Sequence, residues 1–209
     1  MIDFYTWTTP NCRKVSILLE ELAVPYNVLP ININEGAQNT PEFLAISPNN
    51  KVPAIVDHNT DIALFESGAI LLYLAEKHGK FFPKDLQAKA EVIQWLMWQM
   101  GGLGPMAGQT HHFVKNNPGK APYAEDRFKT EVARLYRVLN RQLEGQDYIC
   151  GAYSIADMAS WPWVSRHEWH QINLADYPNV RAWYRRVLAR DAVQKGYHVP
   201  VYTTDIPAG

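Results

Sequence analysis

The sequence predicts two domains, an α/β domain followed by an all-α helical bundle, and three observations carry that prediction. Residues 1–84 alternate strand and helix patterns, whereas residues 85–209 show helical periodicity throughout. A glycine and a proline bracket the end of one helical pattern near Phe81-Phe82-Pro83-Lys84, and another pattern starts a few residues later. Composition changes at the same place. Six of the seven tryptophans lie beyond it, and the first part carries 6 basic and 9 acidic side chains against 14 and 12 in the second.

Residues 2–7 read as a strand, and Thr9-Pro10-Asn11 supplies a turn and cap before Val15, Leu18, Leu19 and Leu22, an i, i+3, i+4, i+7 apolar face. A second strand follows over 26–31, a short helix over 41–46, and two strands over 54–57 and 62–64, the first preceded by Val52-Pro53. A helix from 66 to about 78 closes the unit. The order βαβ, α, ββα fits a small mixed sheet, with a crossover joining two parallel strands and a hairpin adding antiparallel ones. Beyond residue 84, helices are predicted over about 85–100, 123–142, 154–169 and 177–190. In the second of these Phe128, Val132, Leu135, Tyr136, Leu139 and Leu143 form one stripe, with Arg134, Arg137 and Arg141 off it. Ser154-Ile155-Ala156-Asp157 has the spacing of a capping box and fixes where its helix begins, a structural task. Gly101-Gly102-Leu103-Gly104-Pro105 is expected to break or kink the first long helix, and Pro162 to bend the third.

With 47% apolar, 20% charged and 12% aromatic residues, the chain has the composition of a folded enzyme or binding protein. A net charge of -1 gives no field to draw it to nucleic acid or to an anionic membrane. The longest apolar run, 69–75, is far short of the ~18–20 residues of a spanning helix. Charged residues interrupt the first 25 positions, so no secretory leader is expected there and the expected compartment is the cytosol. Cys12 and Cys150 are then read as thiols, with Cys150 in the core. His111-His112 lacks a third donor at ligand spacing, and no metal is expected.

Three features carry possible chemistry. Thr9 and Asn11 sit at the mouth of the first helix, where unpaired N–H groups favour an anion and a thiolate pKa can fall to roughly 3.5–7.5. The same residues also read as an ordinary cap and turn. Lys51-Val52-Pro53-Ala54 places a proline directly ahead of a strand, where a cis bond would turn the Val52 N–H and C=O toward an extended peptide. Phe65-Glu66-Ser67-Gly68 sets a carboxylate, a hydroxyl and free N–H groups at another helix start; Glu66 suits an ammonium and Ser67 a carboxylate, and both also read as a cap.

Together these features resemble the cytosolic glutathione transferases over nearly the whole chain: a thioredoxin-like first domain over 1–84 and an all-helical second domain over 85–209. More narrowly, Thr9-Pro10-Asn11, Ser47-Pro48-Asn49-Asn50-Lys51-Val52-Pro53-Ala54, Phe65-Glu66-Ser67-Gly68-Ala69-Ile70 and Trp98-Gln99-Met100-Gly101-Gly102-Leu103-Gly104-Pro105-Met106 resemble the bacterial nu-class enzymes. Those are glutathione-dependent disulfide-bond reductases, similar to the yeast nitrogen-regulator prion protein. The resemblance implies that Glu66 and Ser67 hold the γ-glutamyl end of glutathione and that Val52 pairs with its cysteinyl backbone. It also implies that Lys51 and Gln38 reach the glycine end or a second glutathione, and that Arg127 adds a cation from the helical domain. Pro53 keeps a structural role.

The resemblance further implies chemistry without a protein thiol. One glutathione thiolate, stabilised by Thr9 and Asn11, attacks a disulfide, and a second glutathione releases the product. Cys12 falls where glutaredoxins carry the second cysteine of Cys-Pro-x-Cys, so an inert buried thiol and a resolving thiol are both open. Conjugation of glutathione to electrophiles is an alternative reaction, and a non-catalytic glutathione-binding regulator an alternative class. By the same analogy a homodimer is expected.

Overall fold

The computed structural model describes residues 1–209 and divides them into two compact units, Met1–Phe82 with Arg190–Ile206, and Pro83–Ala189 with Pro207–Gly209. The division departs from a single boundary near residue 84, because a late segment belongs with the first unit.

In the first unit β1 (Ile2–Thr6) buries Ile2, Phe4 and Thr6 on one face. It lies parallel to β2 (Tyr26–Pro30) and antiparallel to β3 (Ala54–Asp57), which pairs antiparallel with β4 (Ile62–Phe65), in the order β2-β1-β3-β4. Helix α1 (Pro10–Leu22) starts where a threonine cap and a proline at its first position favour it, and stops at Ala23 in the left-handed conformation. Helix α2 (Pro41–Ile46) repeats the device, with the Thr40 hydroxyl accepting from Phe43 N–H and Phe43 filling the core beneath. Helix α3 (Ser67–His78) follows β4 directly and ends at Gly79, whose φ of 64° suits glycine.

The register fixes what meets at one end of this sheet. Tyr5 lies opposite Ala54, and Ala54 opposite Phe65. The chain therefore leaves β1 toward Thr9, enters β3 from Lys51-Val52-Pro53, and leaves β4 into Glu66-Ser67 at the same edge. Ile31 N–H bonds to Thr6 C=O at 2.9 Å, so the segment leading to Gln38 departs there too.

The late segment is α9 (Asp191–Tyr197), which packs on α1. Seven residues are too few for a periodic pattern to be read, so this helix has no separate sign in the sequence. Its attachment is polar and close: Ser16 Oγ donates to Gly196 C=O at 2.6 Å, Arg13 Nε to Tyr197 C=O at 3.0 Å, and Arg190 forms a two-pronged pair with Glu21 at 2.6 and 2.9 Å. A β-carbon on Gly196 would lie 2.7 Å from the Ile17 backbone nitrogen and 2.8 Å from its Cα. Gly196→Ala must push the two helices apart, and is expected to cost about 1–3 kcal/mol. Chemical denaturation checks this.

The second unit opens with a helix that does not break. Helices α4 (Leu86–Trp98) and α5 (Gly104–Thr110) are joined by a π-helical turn at Gln99–Leu103, and a second such turn, His111–Asn116, extends them. Of the break or kink expected at the glycine-proline segment, the break does not occur, for a physical reason. Pro105 lacks an N–H and its ring opposes the carbonyl of Gly101, and a widened turn absorbs both without ending the helix. Helix α6 (Pro122–Gln142) buries Val132, Leu135, Tyr136 and Leu139. Helix α7 (Ile155–Val164) ends earlier than expected, after the bond from Ser165 N–H to Trp161 C=O, and a 3-10 turn at His167–His170 carries the remainder. Helix α8 (Pro178–Leu188) adds Val180, Trp183, Tyr184 and Val187 to a core built around Trp161. No helix is long and apolar enough to cross a membrane.

Candidate functional site

The loop ends gathered at the edge of the sheet hold most of the sequence-predicted residues. Thr9 Oγ1 accepts from Cys12 N–H at 3.2 Å, which uses an oxygen lone pair and leaves the O–H to donate. Thr9 and Asn11 are both half-buried. Cys12, one residue further in, is fully buried, and its Sγ accepts from Trp7 N–H at 3.3 Å. Burial pushes its thiol up from the ordinary value, against opposing hydrogen bonds from Thr9 and Trp7.

The Val52–Pro53 peptide bond is cis, Pro53 is buried, and the Val52 backbone N–H and C=O have no partner within the chain. Lys51 is exposed, while its C=O accepts from Ser47 Oγ at 2.8 Å, tying down the turn. Gln38 lies in a 3-10 turn, Ala37–Asn39, with its Oε1 buried and without a partner. Glu66, at the cap of α3, has φ 70° and ψ 112°, a left-handed conformation that a non-glycine residue adopts at a cost. Its carboxylate is exposed and accepts from Asn49 Nδ2 at 3.4 Å, while Ser67 is buried at the first turn of the helix.

One residue here escaped the sequence reading. Lys14 is 1% exposed and donates from Nζ to Ser67 Oγ at 3.3 Å. Burial pulls its ammonium down to about 7, against the attraction of Glu66. The available signal was spacing: Lys14 precedes Leu18 and Leu22 at four-residue intervals, so it lies on the buried stripe of α1.

Arg127 belongs to the second unit, exposed on α6, where with Met106, Tyr123, Phe128 and Glu131 it lines a cavity of about 470 Å³. His111 stacks on Trp163 and shares a hydrogen bond with His170, Nε2 to Nε2, at 2.9 Å, and His170 Nδ1 meets the Tyr136 hydroxyl at 3.0 Å. Burial, with Arg166 nearby, pulls His111 down to about 4. This is a neutral aromatic core cluster. Cys150 is half-buried rather than in the core, with its thiol pushed up to about 12 by burial. Trp169 is 37% exposed.

A thioredoxin-like sheet whose capped helix, unpaired Val52 backbone and Glu66-Ser67 turn share one edge, followed by a helical unit, defines a glutathione transferase architecture. The family descriptions "Glutathione S-transferase, N-terminal domain" and "Glutathione S-transferase, C-terminal domain" match residues 2–76 and 103–191, and the chain belongs to the glutathione S-transferase family. It is 50% identical over 198 residues to the disulfide-bond oxidoreductase YfcG of Escherichia coli, covering 92% of each protein, and 39% identical over 211 residues to YghU of the same organism, covering 93% of this chain and 73% of that protein. The fold superposes with a TM-score of 0.89 on a Burkholderia graminis glutathione transferase that has two glutathione molecules bound per subunit, at 43% identity over 95% of this chain and 88% of the other. A Pseudomonas putida glutathione transferase holding one glutathione disulfide per subunit superposes at 0.90, with 39% identity over 95% and 91%.

Proposed function

We propose that this chain is a glutathione-dependent disulfide-bond reductase in which the working sulfur belongs to glutathione and not to the protein. The observation that carries the reading is the contrast at the start of α1. Cys12 is sealed in the core with its thiol held protonated, while Thr9 and Asn11 occupy the half-buried mouth of the same helix. A thiolate is the attacking species in disulfide exchange. A buried, raised thiol is poorly suited to that part.

Glutathione is an anionic tripeptide, and the sheet edge offers complementary groups. Glu66 meets the γ-glutamyl ammonium, Ser67 and the first N–H groups of α3 meet its carboxylate, and the unpaired Val52 backbone pairs with the cysteinyl residue in strand fashion. That seats the sulfur toward Thr9 and Asn11, whose donors and helix dipole stabilise the thiolate. Lys51 and Gln38 serve the glycine end or a second glutathione, and Arg127 meets a further carboxylate.

In the first step the glutathione thiolate attacks one sulfur of a disulfide, forming a mixed disulfide as the other sulfur leaves as a thiolate. A second glutathione thiolate then attacks the glutathione sulfur of that mixed species, releasing the second product thiolate and oxidised glutathione. Two glutathiones are oxidised for each disulfide reduced, and the protein changes oxidation state in neither step. The glutathione-bound and glutathione disulfide-bound relatives support this pairing.

Cys12→Ser is expected to leave glutathione-driven reduction of a small symmetrical disulfide intact, measured as oxidised glutathione formed. Loss of the rate in that variant, with a mixed disulfide trapped on Cys12 in the parent protein, would return the nucleophile to the chain.

A further inference from the structure

We propose that Lys14 is a positioning residue for the γ-glutamyl end of glutathione, a buried cation that acts through Ser67 Oγ to balance the ligand's α-carboxylate, so that binding is coupled to protonation of Lys14. The inference rests on the glutathione reading above and adds to it a residue and a proton.

The geometry is specific. Lys14 and Ser67 are 1% and 3% exposed, and their contact joins α1 to the first turn of α3. An ammonium there has lost most of its water and faces the positive end of the α3 dipole, so without a ligand its charged form is disfavoured. Burial accordingly brings Lys14 close to neutrality at physiological pH.

Glu66 is a charged group that acts on Lys14. On the other elements packed against α1, Glu76, Lys77 and His78 lie in the last turn of α3, more than ~13 Å along the axis from Ser67. On α9, Asp191 and Lys195 occupy the first and last turns, and Arg13 stacks on the Tyr197 ring at 3.6 Å. On the strands, Asp3 is held by His58 and Asp57 by Lys77. A carboxylate arriving at Ser67 and the α3 N–H groups would stand within a few ångströms of the ammonium and favour its charged form.

The sign follows by linkage. Lys14 binds its proton more tightly in the complex than in the free protein, so binding takes up protons above pH 7 and weakens as pH rises. At pH 7.5 a lysine titrating at about 7 is roughly three quarters neutral.

The test is calorimetric titration of the full chain with S-methylglutathione, whose sulfur cannot ionise, at pH 7.5 in buffers of different ionisation enthalpy. The expected result is uptake of about half a proton or more per ligand bound, with affinity declining from pH 7 to 8.5. In Lys14→Met the uptake vanishes and the affinity no longer varies over that range. A second ligand removes dependence on the variant's folding: S-methylglutathione with its γ-glutamyl carboxylate converted to the amide should bind the unaltered protein without proton uptake. Binding of S-methylglutathione with no uptake, or uptake that persists in Lys14→Met or with the amide, overturns the role of Lys14 and leaves the glutathione reading standing. Absence of any binding overturns both.

Discussion

Replacing Thr9 with alanine is expected to lower kcat/KM for glutathione-dependent disulfide reduction by about 10²-fold, the usual effect of deleting one donor aimed at a developing or resident anion. The hydroxyl has two separable tasks. Its oxygen accepts from Cys12 N–H at 3.2 Å and caps α1, and its O–H, which can turn about the C–O bond, is the donor for a sulfur at the helix mouth. Loss of the cap costs about 1 kcal/mol of stability, which is too little to account for a hundredfold loss of rate in a protein that stays folded. Loss of the donor raises the pKa of the bound glutathione thiol, so the acid limb of the pH–rate profile moves to higher pH. Thr9→Ser keeps the hydroxyl and should restore both the rate and the limb. A full rate in Thr9→Ala, with the profile unmoved, would remove Thr9 from the chemistry and leave it as a cap.

Most of the first unit was legible because its signals are local. The threonine-proline pair before 15-18-19-22 marks α1, and the period-two burial of Ile2, Phe4 and Thr6 marks β1. The capping pattern at Ser154 and Asp157 forms as the spacing predicts, with both reciprocal bonds present. The misses are those in which a distant contact outweighs a local preference. Gly101 to Pro105 carries the signs of a break or a kink, and of the two the break is absent because a π turn accommodates the proline. Helix α9 is written in seven residues whose partner, α1, is almost 180 positions earlier, and only the Gly196 approach to Ile17 makes sense of its glycine. Lys14 was hidden by its charge. A lysine is read as solvated by default, and nothing local announces that Ser67 will sit over it. At the sheet edge the residue types were legible one by one, whereas their convergence depends on the registers of β1, β3 and β4.

The largest effect on stability is expected at Asp157, which holds the second unit together from the start of α7. Its carboxylate is fully buried and accepts from Ser154 N–H at 2.9 Å, Ile149 N–H at 3.0 Å and the Trp183 indole Nε1 at 2.8 Å. It thus closes the capping box, anchors the segment before it and fixes a core tryptophan of α8. Asp157→Ala takes the acceptor away from these buried donors, and the expected cost is about 3–5 kcal/mol. For a chain of this size that corresponds to a fall in Tm of roughly 10 °C. The carboxylate also carries a pH signature. Burial raises its pKa to about 6 even though every one of these donors favours the charged form. The folded state therefore holds this proton more tightly than the unfolded state does. The stability it contributes is complete below the unfolded carboxylate value near 4, declines as pH rises toward 6 and is level above that. Asp157→Asn keeps an acceptor oxygen and cannot ionise, so its stability should lack that decline, while Asp157→Ala lacks it too and is weaker at every pH. Denaturation curves for the three proteins between pH 4 and 7 separate the two contributions. Parallel pH dependence in the unaltered protein and the asparagine variant would mean that the carboxyl titrates alike folded and unfolded, and the account of Asp157 as a buried acceptor straining against its own charge would fail.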